Sequence, residues 1–129
     1  MSESNALRAF FKGFGINAYD EQQALSVNPD ADMPYIVYSL SEGSQGEKVS
    51  VTADMWYRPK NDGEKTDRVK NSIYETVGTG LVIPFERGAM LIQPDKTFCK
   101  AGRDTKNPEL RKKSIYLTAR FFLKRGADL

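Results

Sequence analysis

The 129-residue chain is 40% apolar and 28% charged with a net charge of +2, a globular composition that excludes a disordered chain and shows no global pull towards nucleic acid or membranes. Histidine is absent and Cys99 is the single cysteine, which removes Ser–His and Cys–His nucleophile pairs, a thiolate–imidazole zinc site and an intrachain disulfide. One domain over residues 1–129 is expected, large enough to bury about two-thirds of its unfolded surface.

Carboxylate-only Mg²⁺ or Mn²⁺ sites stay open. The first residues hold no basic segment followed by an apolar run, and no stretch nears ~20 apolar residues, so neither a secretory signal nor a membrane span is expected. A cytoplasmic protein is the resulting expectation.

Residues 5–14 read as a helix, because Leu7, Phe10, Phe11 and Phe14 recur at helical spacing. Ser4 or Asn5 is placed to cap it, and Gly13 and Gly15 mark its end. Residues 17–21 read as a short strand or an extended lead-in, and 27–32 as a turn. Two strands follow, at 33–40 and 49–58, rich in aromatic and β-branched residues. A Gly/Ser/Glu-rich stretch at 41–48 joins them as an antiparallel hairpin. In the second strand Val49, Val51, Ala53, Met55 and Tyr57 share one face. Trp56 falls on the polar face. It reads either as a ring lying over neighbouring aliphatic stems or as a subunit contact, since tryptophan is enriched in interface hot spots.

Residues 59–65 read as a polar loop. Thr66 then caps a second helix, Asp67 sits near its N-terminus, and Val69, Ile73 and Val77 form its apolar stripe. A strand at 81–86 carries Pro84, which marks an edge or a bulge. Arg87 and Gly88 turn the chain into 89–93, and Pro94, Asp95 and Lys96 turn it again into 97–99, where Cys99 reads as a small packed hydrophobe. Lys96, Lys100, Arg103, Lys106, Arg111, Lys112 and Lys113 oppose only Asp104 and Glu109. This run reads as a solvated basic loop at 100–109 plus a charged strand end, or as a surface for an acidic partner or DNA. The closing strand, 112–124, places Ile115, Leu117, Ala119, Phe121 and Leu123 on one face.

The expected fold is therefore α+β: a mainly antiparallel sheet with two helices packed on one face, plus a hairpin and a long basic loop. The other sheet face stays rich in Tyr, Trp and Phe, which points to self-association or a larger partner. Enzyme motifs fail one by one. The glycine pairs lack the lysine and helix of a phosphate loop, and no Gly-x-Ser-x-Gly elbow exists. Pro94-Asp95 with Glu109-Leu110-Arg111 loosely imitates a metal-nuclease pattern, but arginine stands where a basic lysine is needed.

The ordered set of a helix at 5–14, Ala18-Tyr19-Asp20-Glu21, the Pro34–Tyr38 strand, Met55-Trp56-Tyr57-Arg58, a helix of the 68–77 kind and a long strand at 114–124 resembles phage tail terminator proteins. These are also called tail completion or minor tail proteins of long-tailed bacteriophages. The resemblance implies a structural virion protein, assembled in the host bacterial cytoplasm. It would form a ring, typically a hexamer, at the head-proximal end of the tail. The ring would stop tube polymerisation and offer a surface for head–tail joining. Its partners would be itself, the tail-tube protein and a head–tail connector protein. DNA would pass through without specific binding, and no catalytic residue, cofactor or metal is implied. Within that resemblance Trp56, Tyr57, Phe85, Met90 and Leu91 are expected at subunit or tube contacts. Arg103, Lys106, Arg111, Lys112 and Lys113 are expected on a polar partner or channel surface. The competing readings are another connector or tail-tube protein and, more distantly, a nucleic-acid-binding or nuclease module.

Overall fold

A computed structural model describes residues 1–22, 33–41, 44–103, 106–107 and 109–124. The turn expected at 27–32 and the residues after 124 lie outside them. In chain order the elements are α1 (Glu3–Lys12), β1 (Asn17–Asp20), β2 (Tyr35–Leu40), β3 (Lys48–Tyr57), α2 (Pro59–Val77), β4 (Leu81–Phe85), β5 (Gly88–Arg103) and β6 (Arg111–Leu123). The six strands form one sheet in the order β1-β2-β3-β6-β5-β4. Only β1 and β2 pair in parallel; the remaining neighbours are antiparallel. The fold is α+β.

Strand register sorts the side chains into two faces. Ile36 lies opposite Met55, Ala53 opposite Ile115, and Ile92 opposite Ala119. All of these are buried, and they pack with Leu7 and Phe11 of α1 and with Val69, Ile73 and Val77 of α2 in one core. Each of the larger side chains, the alanines aside, contributes roughly 1.5–3 kcal/mol on burial. Both helices therefore cover the same face. α1 touches both β1 and β4, the two opposite edges of the sheet. A sheet whose edges meet one helix must curl around it, and right-handed twist supplies that curvature. The N–H of Glu86 donates to the Met1 carbonyl at 2.7 Å, and Arg87 pairs with Glu3 at 3.1 Å. These contacts fix the start of α1 to the β4–β5 turn.

Three boundaries differ from the sequence expectation. α1 is capped by Ser2, whose side chain accepts from the Asn5 N–H, and not by Ser4 or Asn5. α2 begins at Pro59, seven residues before Thr66. Proline suits the first helical position, since its missing N–H has no partner there. Asp62 then accepts from the Arg58 N–H at 3.3 Å. Gly63 disfavours helix by about 1 kcal/mol, which is why 59–65 reads as a loop. The third difference is β5, one strand of 16 residues where the sequence suggests two turns and short strands. The chain bulges between Pro94, opposite Leu117, and Cys99, opposite Ile115, and then resumes pairing with β6. Residues 100–103 are consequently strand, so the first four residues of the basic loop expected at 100–109 belong to the sheet.

Candidate interaction surface

The sheet face turned away from α1 and α2 divides into three zones. At one corner Trp56 lies between Tyr35 and Lys112 in register. The Lys112 ammonium stands 5.4 Å from the Trp56 ring centroid, within cation–π range. Tyr19 meets Tyr35 edge-on at 6.3 Å, and the Arg8 guanidinium reaches round the β1 edge to 5.7 Å from the Tyr19 ring. Its Nε donates to the Ala18 carbonyl at 3.1 Å.

The middle zone is hydroxylic. Ser50, Thr52 and Tyr116 alternate with buried neighbours of the core face, while Thr118 is itself buried and donates to the Gln93 carbonyl. Asp54 accepts from Ser114 Oγ at 2.7 Å, so its carboxylate is already engaged within the sheet.

The opposite corner is apolar. Val82 pairs with Leu91 and Pro84 with Ala89, while Ala89 pairs with Phe122. Val82 is 60% and Phe122 44% exposed. Pro84 lies on the edge strand, where its lack of an N–H costs least.

The expected contact residues separate on this geometry. Trp56 and Leu91 share the open face but stand eight register steps apart along β6, roughly 26 Å. Tyr57, Phe85 and Met90 are buried on the helix-covered face, so none of them offers a surface to a partner. The cause is strand parity: neighbours in sequence point to opposite faces. Val82, Phe122, Tyr19 and Tyr35 also lie on the open face. The alternation of β6 already placed Phe122 opposite the core, whereas the position of Val82 depends on β4 being an edge.

The five basic residues divide in the same way. Arg103 and Arg111 pair across the far end of the β5–β6 hairpin, beside shallow clefts that include Pro59, Lys60 and Asn61. Lys106 is exposed near the hairpin tip. Lys112 belongs to the aromatic corner.

Lys113 is an internal cation and not a partner surface. Its Nζ donates to Thr66 Oγ1 at 2.7 Å, pairs with Asp67 at 2.8 Å, and lies 4.3 Å from the Tyr57 ring centroid. This cluster ties α2 to the sheet. The hydrogen bond from Lys113 is the main cause holding the Asp67 carboxyl below its ordinary value. Its stabilisation is therefore present above the unfolded carboxyl value and is lost as pH falls through the lower folded one.

Asp67 is 57% exposed, whereas Lys113 is largely buried. Removing the acid strands a buried ammonium; removing the lysine leaves a carboxylate that water can solvate. Asp67→Ala should destabilise by about 1–2 kcal/mol, and Lys113→Met by less than about 1 kcal/mol. Urea melts at pH 7 and pH 3 check both: the Asp67→Ala deficit should shrink at the acid end.

The nuclease-like acids are not brought together. Asp95 lies in the β5 bulge, and Glu109 lies beyond the Arg103–Arg111 pair at the hairpin tip, roughly 20 Å further along the strands. No group of three or more His, Cys, Asp or Glu able to hold a metal occurs among the described residues. Burial raises the Cys99 thiol above its ordinary value, which disfavours the reactive thiolate. The cleft beside the start of α1 is bonded internally: Ser4 Oγ donates to Asp20 at 3.2 Å, and the buried Tyr38 hydroxyl donates to the Ser4 carbonyl at 2.8 Å.

No family model matches this chain, and no curated protein matches it. A solved structure aligns over 94% of this chain and 92% of its own with a TM-score of 0.56 at 12% identity. At that identity the likeness concerns the fold alone, and it extends over nearly the whole described architecture.

Proposed function

We propose that the chain is a structural phage-assembly protein. It is the subunit of a ring that caps the head-proximal end of the tail tube, stops its polymerisation and presents a head–tail joining surface. The observation that carries this reading is the apolar corner of Val82, Leu91 and Phe122 on a sheet face that no helix covers among the described residues. Exposed apolar surface beside an edge strand suits association with further copies or a tube subunit. The whole-chain resemblance to tail terminators supports the same role.

Native mass by light scattering, with negative-stain imaging of the same fractions, tests it. The expected result is a closed ring of about six times the 14.5 kDa chain, alone or after addition of tail tubes. Val82→Lys with Phe122→Lys should abolish the ring and leave the far-ultraviolet spectrum unchanged, since both side chains are exposed. Open filaments would favour a tube subunit instead. A monomer at every concentration, with or without tubes, would sink the assembly reading.

A further inference from the structure

We infer that the other part of the open face, from the Trp56 corner to the hydroxylic middle, is a platform for single-stranded nucleic acid. This does not depend on ring formation, because one chain holds the whole surface.

Three observations carry it. The first is charge. Lys48, Lys100, Lys112 and Arg120 occupy open-face positions in the paired rows, and Asp54 is the one carboxylate there among the described residues. Four cations against the single Asp54 carboxylate leave these rows net positive, although the chain as a whole is only +2. The second is the aromatic set. Trp56 and Tyr35 are direct cross-strand neighbours and partly exposed, and Tyr116 follows along the sheet. Aromatic rings on an open antiparallel sheet, with both helices behind it, are the arrangement on which unpaired bases stack.

The third observation excludes a dry protein interface at this place. The centre of such an interface is apolar and depleted of charge. Here the accessible centre is made of Ser50, Thr52 and Tyr116, whose hydroxyls are polar, and lysines border it. Hydroxyls and ammonium groups suit phosphate oxygens and sugars. The apolar material lies at the opposite corner. A duplex would present its phosphates but keep its bases stacked away from Trp56, so the single strand is the form this surface selects.

Trp56 is the single tryptophan, and its fluorescence reports directly on the site. Titration with a 20-nucleotide oligo-dT at low salt should quench it to saturation. The logarithm of affinity should fall against the logarithm of salt with a slope of roughly −2 to −3, for about four phosphates neutralised. Lys100→Glu with Lys112→Glu should weaken binding about tenfold or more, read by anisotropy of labelled oligo-dT, because these side chains support no core contact. Val82→Ser with Phe122→Ser, which adds no charge at the opposite corner, should leave it unchanged.

Absence of quenching at low salt would overturn the inference. So would equal quenching by a 20-base-pair duplex or by polyglutamate, since neither offers an unstacked base. An unaltered affinity in the charge-reversed variant would overturn it as well.

Discussion

Gly88→Ala should destabilise the fold by about 3 kcal/mol or more, the largest effect expected of any single methyl group in this chain. Gly88 opens β5 immediately after the two-residue turn at Glu86 and Arg87, with φ +153°. It lies opposite Leu123 at the end of β6. A Cβ built there would overlap the Phe122 carbonyl oxygen and come within 2.9 Å of the Leu123 Cα. Both obstacles are backbone, so no side-chain rotation relieves them. The strands must separate, and this is where the β4–β5 turn is bonded to its surroundings. The Lys124 N–H donates to the Arg87 carbonyl at 2.7 Å, and the Glu86 N–H to Met1. Thermal or urea melts decide the matter: a loss under about 1 kcal/mol would mean that the hairpin does not approach β6 as closely as described. Gly63→Ala provides the contrast. That glycine is helical with open space around its Cβ, and alanine there should stabilise by up to about 1 kcal/mol.

Phe11→Ala should cost about 3–5 kcal/mol, the range for truncating a fully buried phenylalanine. Phe11 is completely buried, with ring centroids 5.1 Å from Phe10 and 5.5 Å from Tyr38. More than packing is at stake, because α1 is the element that both edges of the curled sheet share. Weakening its dock loosens β1 and β4 together, although they lie at opposite ends of the strand order. Hydrogen exchange separates this from a purely local cavity. Amides of α1, of β1 and of Glu86 should lose protection in concert, while those of β3 and β6, in the middle of the sheet, should keep theirs to the global unfolding limit. Exchange confined to α1 would show that the helix covers the edges without holding them.

The strands and faces were legible wherever a strand alternates strictly. In β6 every second residue from Ile115 to Phe121 is apolar, and each is buried. The same rule identified the core face of β3 and sent Trp56 to the other side. It failed at β5, where Pro94, Asp95 and Lys96 imitate a turn. A long partner strand holds the chain through the bulge, and the hydrogen bonds of β6 outweigh the local preference. It failed again at the start of α2, where Asn61, Asp62 and Gly63 look like a loop. There Pro59, the Asp62 bond to the Arg58 N–H and the buried Thr66–Lys113 contact offset the weak helical preference.

The candidate surface was less legible than the fold. Tyr57, Phe85 and Met90 share every compositional mark of contact residues, and lie in the core by parity. Lys113 is one of three consecutive basic residues, yet its register under α2 makes it internal, while its neighbour Lys112 faces outward beside Trp56. Periodicity and composition, which act between residues close in the chain, determine the α+β class, the two helices and the faces of the long strands. Strand order, the curl of the sheet around α1 and the grouping of Trp56 with Tyr35 and Lys112, or of Val82 with Leu91 and Phe122, arise from pairing between distant segments. That pairing is set by burial of the whole core at once and leaves no mark in any local window.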